Sequence, residues 1–336
     1  MDPKKLHVIA KAMVAPGKGI LAIDESTSTC TKRFKDVGIE STEENRRQYR
    51  QLLVTAPGIE EAISGMILYD ETFWQKTDDG VPFTKVLKDK GILSGIKVDT
   101  GAKDLALHPG EQITEGLDGL RERLKKYADN GAAFAKWRAV ITIGKGIPSR
   151  ACINANTHAL ARYAALCQEA GLVPMVEPEV LIDGDHSIDL CYEVTSDVLS
   201  SLFEQLQEQG VYLAGTILKT SMVISGTKAK KQSTVEEVAK ATVKCLHEHV
   251  PPILAGVVFL SGGMTDIQST ENLNAMNTLG EHPWPLSFSY GRAIQHPALT
   301  NWAKGNIEKA KTELVHRAKM NGLAAIGKYT EKAEKI

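Results

Sequence analysis

The sequence predicts a single-domain α/β protein built as a (β/α)₈ barrel, the TIM-barrel fold. Eight short apolar runs, most of them bounded by Gly or Pro, alternate with amphipathic segments along the chain. Such runs are typical of strands buried on both faces of a parallel sheet. Their spacing of roughly 30–45 residues fits βα units, and no low-complexity linker divides the chain. Residues 1–336 are therefore expected to form one domain.

The predicted strands account for most of the apolar sequence, and other elements precede and follow them. An amphipathic helix is expected at residues 4–15, and a short polar tail at 330–336 is expected to fray. The eight strands are predicted at GILAID (19–24), ISGMILY (63–69), LSGIKVD (93–99), FAKWRAVI (134–141), VPMVEPEV (173–180), LAGTILK (213–219), GVVFLSG (256–262) and LSFSYG (286–291).

Capping signals and apolar periodicity predict the helices between these strands. Ser41 with Glu44, and Ser233 with Glu236, have the spacing of a capping box and are predicted to begin two of them. Apolar residues that recur every three or four positions predict two more helices. The first of these sets is Ile113, Leu117, Leu120, Leu124 and Tyr127, and the second is Ile188, Cys191, Thr195, Val198 and Leu202.

An open doubly wound sheet is the alternative architecture for the same alternation. That fold usually has a Gly-rich turn directly after its first strand. Here GKG (17–19) precedes the strand, IDESTST follows it, and the G-x-x-x-x-G-K-[ST] phosphate loop is missing from the sequence. Eight units in one uninterrupted domain favour the closed barrel.

Composition excludes several classes of protein. The formal net charge is −1, which gives no electrostatic basis for binding nucleic acid or an anionic membrane. No apolar run approaches the ~18 residues of a membrane span, and the first residues do not read as a signal peptide. The five cysteines are odd in number and form no C-x-x-C pair. Free thiols in a reducing cytoplasm are therefore expected.

Charged and polar residues end seven of the eight predicted strands. In a barrel these ends lie at the face that carries the chemistry. Because residues i and i+2 of a strand point the same way, Lys136 and Arg138 share one face, as do Glu177 and Glu179. The strand-end residues are Asp24, Lys97, Lys136, Arg138, Glu177, Glu179, Lys219, Ser261, Gly262, Gly291 and Arg292. Each alone could be a buried structural group, and an ion-pair ladder inside the barrel would be compatible with catalysis.

Three of these strand-end residues are lysines within apolar runs, Lys97, Lys136 and Lys219. Burial and a neighbouring cation both favour the neutral amine, which is the nucleophilic form. A neutral amine forms a Schiff base with a ketone or aldehyde, and the iminium then accepts electrons from an adjacent C–C bond. A pair of carboxylates would supply the general acid and base. Metal chemistry is the rival, but none of the nine histidines ends a predicted strand.

Two Gly-rich loops predict that the substrate carries phosphate. LSGGMTD (260–266) and SFSYGRA (287–293) follow the last two strands, the common phosphate position in this barrel. Ser261, the backbone N–H groups of Gly262 and Gly263, and Arg292 could hold the anion. A second anion site could form from DESTST, after the first strand, together with Lys97.

The motifs that carry these groups resemble the class I fructose-1,6-bisphosphate aldolase family. They are GKGILAIDEST, TEENRRQYRQLL, FAKWR, VPMVEPE, GDHS, FLSGG and SFSYGRA, and the match runs from about residue 4 to 329. The resemblance implies a (β/α)₈ barrel, usually a cytoplasmic homotetramer, that needs neither a metal nor a cofactor. It implies reversible cleavage of fructose 1,6-bisphosphate to dihydroxyacetone phosphate and glyceraldehyde 3-phosphate.

The resemblance also implies roles for individual residues. Lys219 resembles the Schiff-base lysine, Glu177 the general acid/base for dehydration, and Glu179 its support. Asp24 resembles the base that takes the C4 hydroxyl proton, with Lys136 and then Arg138 beside that oxygen. The C1-phosphate site would comprise Ser261, Gly262, Gly263, Ser289, Gly291 and Arg292, and the other phosphate end Ser26, Thr29, Arg33 and Lys97.

The sequence departs from the family pattern in three places. Thr220 and Ser221 follow the candidate Schiff-base lysine in place of Pro-Asn, and Ser28 and Thr29 replace Gly-Ser, with Thr29 keeping a hydroxyl. The family's long tail ending in tyrosine is expected to be missing. Two other functions remain open at this stage, a transaldolase-like Schiff-base enzyme and a non-catalytic binding protein on the same barrel.

Overall fold

A computed structural model describes residues 2–335 of the chain. Ten strands lie in this part of the sequence. They are β1 (Gly19–Ile23), β2 (Ile63–Leu68), β3 (Leu93–Lys97), β4 (Gly101–Asp104), β5 (Gln112–Glu115), β6 (Phe134–Ile141), β7 (Val173–Val180), β8 (Ile217–Thr220), β9 (Gly256–Phe259) and β10 (Leu286–Tyr290).

Twelve α-helices lie within the same described residues. They are α1 (Pro3–Met13), α2 (Thr27–Asp36), α3 (Glu43–Thr55), α4 (Asp70–Trp74), α5 (Phe83–Asp89), α6 (Leu120–Asp129), α7 (Arg150–Glu169), α8 (Ile188–Glu208), α9 (Val235–His249), α10 (Asp266–Asn277), α11 (Arg292–Ala303) and α12 (Ile307–Ala324).

Eight parallel strands close into a barrel in the order β1-β10-β9-β8-β7-β6-β3-β2, so the predicted (β/α)₈ barrel is confirmed. The longest ladder joins β6 to β7 over eight residue pairs, from Phe134 opposite Val173 to Ile141 opposite Val180. Because every barrel strand has its carboxyl end on the same side, the strand-end side chains converge on one face of the molecule.

Helix α1 closes the opposite face of the barrel, where the strands begin. Its Leu6, Ala10 and Met13 are fully buried in one cluster with residues of the barrel interior. Phe134 fills that interior so closely that a Cβ added at Gly95 would lie 2.2 Å from its ring. Side chains therefore fill this end of the barrel interior.

The strand predictions agree with the structure apart from their ends. Residues 134–141 and 173–180 are strands as predicted, whereas the sixth barrel strand is shorter than the predicted 213–219. Leu213–Gly215 forms a 3₁₀ turn before β8 begins at Ile217. A Cβ at Gly215 would lie 2.8 Å from the Leu6 side chain, so this turn packs against α1 rather than extending the sheet.

The helix predicted to begin at Ile113 is wrong. Ile113 lies in β5, which pairs with β4 in an antiparallel hairpin outside the barrel, and Leu117 lies in the following loop. The apolar spacing mimicked a helix, but Gly116 and Gly119 both adopt positive φ, at 124° and 65°. These glycines interrupt the periodic run, and α6 begins only at Leu120.

Both predicted helix starts are displaced by one residue, and only the second has a capping box. Thr42, not Ser41, caps α3 by accepting a hydrogen bond from the backbone N–H of Asn45. At α9 the box joins Thr234 and Glu237, whose side chains each accept the other's backbone N–H. Each site has a Ser-Thr pair, so either hydroxyl could cap the helix, and at α9 both registers also place a Glu three residues later.

The C-terminal residues are held against the protein, contrary to the expectation that they fray. Glu331–Glu334 forms a 3₁₀ turn, and Glu334 accepts two hydrogen bonds of 2.6 Å from Nη1 of the buried Arg317 on α12. Among residues 2–335, no helix is both long and apolar enough to cross a membrane.

Candidate active site

A cavity of about 700 Å³ opens at the carboxyl ends of the barrel strands. It brings together all of the predicted site residues except Gly263, which follows them in the β9–α10 loop. Residues not singled out from the sequence also line it, among them Glu25, Tyr69 and Asp99. The predicted strand ends therefore lie at the cavity, because residues far apart in sequence share one face of the barrel.

Four charged side chains of alternating sign form a continuous chain at the floor of the cavity. Lys136 Nζ lies 2.7 Å from Asp24 Oδ2 and 3.1 Å from Glu177 Oε2. Lys219 Nζ lies 2.9 Å from the other Glu177 oxygen, Oε1. The four side chains are between 3% and 12% exposed. Glu177 thus bridges the Nζ atoms of two lysines and contacts Lys219 directly, within the range of proton transfer.

For Asp24, Glu177 and Lys136, the neighbouring charges together shift the pKa more than burial does. Burial acts to raise the pKa of Asp24 and of Glu177, but Lys136 and Lys219 lower both, and the net pKa of each carboxyl is below its ordinary value. Burial acts to lower the pKa of Lys136, yet Asp24 and Glu177 hold it well above its usual range. Two carboxylates and the Lys136 ammonium are therefore charged at neutral pH.

Arg138 and Glu179 form the next pair along the same two strands. Arg138 Nε lies 2.5 Å from Glu179 Oε2. Burial acts to lower the pKa of Arg138, and its pairing with Glu179 raises it. In register Arg138 faces Glu177, so both ion pairs run diagonally between β6 and β7. The predicted ladder of ion pairs is present, and Glu179 contacts Arg138.

Glu25, the residue after Asp24, anchors the β1–α2 loop. Its side chain is 7% exposed and forms ion pairs with Arg33 and, at 2.8 Å, with Arg50 Nη2. Gln295 Nε2 on α11 donates to Glu25 Oε1 at 2.8 Å and to the Ala22 carbonyl at 2.6 Å. Glu25 therefore connects α2, α3 and α11 directly behind Asp24. A lone glutamate in a polar loop carries no sequence signal for such a role.

The end of the cavity between β9 and β10 has the donors of an anion site. Ser261 is 6% exposed, and the buried Ser289 hydroxyl has no hydrogen-bond partner among residues 2–335. Arg292 Nη2 donates to the Gly262 and Met264 carbonyls at 3.1 and 3.2 Å. Helix α11 begins at Arg292, so its amino-terminal N–H groups lie beside the cavity. A helix start with a guanidinium and hydroxyls suits a phosphate.

The other end of the cavity is formed by α2 and Lys97. Ser26 is the N-cap of α2, and its hydroxyl contacts those of Ser28 and Thr29 at 3.0 and 3.2 Å. Arg33 lies one turn further along the helix, and Lys97 reaches the cavity from the end of β3. This end also combines a helix start with hydroxyls and cations, so it could hold a second anion.

The described residues contain no cluster of three or more His, Cys, Asp or Glu side chains arranged to hold a metal ion. What the cavity holds instead is amines, carboxylates and anion-binding groups. Such an arrangement can form an imine, move protons to and from it, and bind a substrate with an anion at each end.

Comparison with known proteins gives a consistent family. The family model described as fructose-bisphosphate aldolase class-I matches residues 5–336. A relative named probable fructose-bisphosphate aldolase class 1, from Xanthomonas campestris pv. campestris, is 64% identical over 98% of this chain and 99% of its own length. The fructose-bisphosphate aldolase of Dictyostelium discoideum is 53% identical over 97% of this chain and 93% of its own length.

A solved structure agrees with these sequence matches. The fructose-bisphosphate aldolase of Plasmodium falciparum, solved in complex with TRAP and a small-molecule inhibitor, superimposes with a TM-score of 0.96. Its sequence identity to this chain is 48%, and the superposition covers 98% of this chain and 96% of that one.

Proposed function

This chain belongs to the class I fructose-bisphosphate aldolase family, and on that premise we propose how its cavity carries out the reaction. The reaction is the reversible, metal-independent cleavage of fructose 1,6-bisphosphate to dihydroxyacetone phosphate and glyceraldehyde 3-phosphate. The 2.9 Å contact between Lys219 Nζ and Glu177 Oε1 is the observation that carries the assignment of roles.

Lys219 is the nucleophile in this proposal. Glu177 takes a proton from Lys219 Nζ as this nitrogen attacks the C2 ketone of the open-chain sugar. A second proton moves from the nitrogen to the C2 oxygen to give the carbinolamine. Glu177 then donates its proton to the departing hydroxyl, so that water leaves and the iminium forms. Burial of both side chains supports this assignment, because a general acid that contacts the nucleophile can act on the same carbon without rearrangement.

Asp24 and Lys136 act at the bond that breaks. Asp24 takes the proton of the C4 hydroxyl, the C4 oxygen becomes a carbonyl, and the C3–C4 bonding pair moves into the iminium to give an enamine. The low pKa of Asp24 keeps it ionised as a base, and Lys136, 2.7 Å from it, can stabilise negative charge on that oxygen. Protonation at C3 and hydrolysis release dihydroxyacetone phosphate.

The remaining site residues hold the two phosphates. Ser261, Ser289, Arg292 and the Gly-rich backbone of Gly262, Gly263 and Gly291 are assigned to the C1 phosphate. Ser26, Thr29, Arg33 and Lys97 are assigned to the C6 phosphate. The starts of α11 and α2 support these assignments, because each presents backbone N–H groups to an anion. Arg138 holds Glu179, and both complete the charged wall between the two ends.

We further propose a cytoplasmic homotetramer. The tetramer follows from the family resemblance, and size-exclusion chromatography with light scattering tests it. The five cysteines support a reducing compartment, since all of them are buried and unpaired.

A coupled assay tests the activity. Fructose 1,6-bisphosphate alone, with no acceptor sugar, should yield both triose phosphates, and Lys219→Ala should abolish the signal. A requirement for an acceptor sugar would indicate a transaldolase. No turnover under either condition, with the protein folded, would indicate a binding protein.

A further inference from the structure

We propose that Asp99 is a positioning residue that holds the Lys97 ammonium in place for the C6 phosphate. The inference rests on the proposed function, in which Lys97 serves that end of the substrate. Asp99 lies two residues beyond Lys97, in the loop that leaves β3, and both side chains line the cavity.

The Lys97 ammonium is bound twice by Asp99. Lys97 Nζ lies 2.5 Å from Asp99 Oδ1 and 2.9 Å from the Asp99 backbone carbonyl. An ammonium has three N–H donors, so these two contacts leave one donor for the substrate. Two contacts also fix the direction of the flexible lysine stem, whose rotamer freedom would otherwise be lost when the phosphate binds.

Asp99 is itself held by two neighbouring elements. Its Oδ1 accepts a hydrogen bond from the Gly101 backbone N–H at 3.2 Å, at the start of β4. Its Oδ2 accepts from the Arg138 backbone N–H at 3.3 Å, on β6. The Asp99 side chain is only 3% exposed. The carboxylate therefore has a fixed position between the hairpin and the barrel. Its contacts with Lys97 in turn fix the position of the Lys97 ammonium.

A second carboxylate, that of Asp24, also interacts electrostatically with Lys97. Lys97 is close enough to Asp24 to contribute to its low pKa, although burial, Lys136 and Lys219 have larger effects. If Asp99 lost its charge, the Lys97 stem would no longer be held in one direction. The C6 phosphate would then lose a cation, whereas the C1 phosphate at the far end would not.

Steady-state kinetics of Asp99→Asn test the proposal, because fructose 1-phosphate lacks the phosphate that Lys97 is proposed to bind. D99N should raise the KM for fructose 1,6-bisphosphate by about tenfold, a typical effect of losing one charge-assisted hydrogen bond. The KM for fructose 1-phosphate should change by less than about twofold. Asp104→Asn is the matched control, since Asp104 is exposed at the end of β4, and it should change neither value.

A double-mutant cycle with Lys97→Met distinguishes two roles of Asp99. In the first Asp99 orients Lys97, and in the second it only stabilises the β4–β5 hairpin. If Asp99 acts through Lys97, D99N should have no further selective effect in the K97M background. Equal losses on both substrates, or a selective effect that persists in K97M, would overturn the inference. If D99N does not fold, Asp99→Glu is used, because it keeps the charge but displaces it. D99E should likewise raise the KM for fructose 1,6-bisphosphate and leave that for fructose 1-phosphate nearly unchanged.

Assays of the wild-type enzyme distinguish failure of the proposed function from failure of the role proposed for Asp99. If the wild-type protein cleaves neither sugar, the proposed function fails and this inference fails with it. If the wild-type protein cleaves both sugars and D99N affects them equally, only the role of Asp99 is overturned.

Discussion

Glu177 contacts the Nζ atoms of Lys136 and Lys219 and is almost completely buried. A buried carboxylate between two lysines is stabilised as the anion, and its pKa is lowered despite the effect of burial. The proton that it needs as a general acid must therefore come from a neighbour. Lys219 is in contact with Glu177 and gives up a proton when its amine attacks the ketone, so these two residues can work as a unit.

Replacing Glu177 with Gln should lower kcat by roughly 10²–10⁴-fold, the usual effect of removing a general acid or base. The amide has nearly the same shape, so circular dichroism should show an intact fold. Glu204→Gln, at an exposed position on α8, is the matched control and should turn over normally. Near-normal turnover of E177Q would mean that another group, such as Glu179, moves the proton.

Among the elements, the C-terminal turn is held mainly by the ion pair between the buried Arg317 and the half-buried Glu334. Arg317 is 5% exposed and donates to Glu334, to the Thr270 hydroxyl and to the Asp266 carbonyl. The turn is therefore fastened to the first turn of α10. A buried guanidinium that loses its carboxylate keeps the cost of burial without the charge pairing.

Glu334→Gln should lower the free energy of unfolding by about 1–3 kcal/mol, the range for a lost hydrogen bond to a charged group that stays buried. Glu331→Gln is the control from the same turn. Its side chain is exposed, and we expect a change within about 0.5 kcal/mol. Urea unfolding of the three proteins measures both values. Equal stabilities for E334Q and E331Q would show that the turn does not depend on this pair.

The positions of strands could be predicted from the sequence where burial of their residues determines the structure. The strands are apolar on both faces and bounded by glycines or prolines, so their positions could be predicted to within a few residues. The β4–β5 hairpin was missed because Ile113 and Leu117 have helical spacing by coincidence, while backbone turns at Gly116 and Gly119 decide the structure. The displaced N-caps have a similar origin, since only three-dimensional contacts select between adjacent hydroxyls.

At the scale of the whole molecule, the buried charges make stability depend on pH in a defined window. The pKa values of Asp24 and Glu177 are lower in the folded protein than the unfolded values of roughly 4. Between the folded and unfolded values the unfolded chain binds more protons, so the free energy of unfolding falls as the pH drops below about 4. Above about pH 5 these two groups add no slope.

Urea unfolding from about pH 3 to pH 6 should show this loss of stability, and Asp24→Asn should show a shallower decline than the wild type below about pH 4. D104N again serves as the control, with the wild-type slope expected. Parallel curves for D24N and the wild type would contradict the low pKa of Asp24.

The candidate site was predictable to the extent that strands deliver its side chains. Residues such as Lys136, Glu177 and Lys219 could be found because a charged residue in an apolar strand is costly without partners or function. Glu25 could not be found in this way, because it lies in a polar loop where a carboxylate is ordinary. Asp99 ended the predicted strand 93–99, but β3 ends at Lys97, and the turn of Asp99 back onto the lysine cannot be read from spacing. Their burial and their contacts with Arg33 and Lys97 depend on how those loops fold over the cavity.

The central claim is that Lys219 forms the Schiff base, and chemical trapping tests it most directly. The protein is incubated with dihydroxyacetone phosphate, reduced with borohydride and mapped by mass spectrometry. We expect irreversible inactivation and one modified peptide, with the adduct on Lys219. This is the lysine that contacts Glu177 Oε1. An adduct on Lys97 or Lys136, or full retention of activity after reduction, would contradict it.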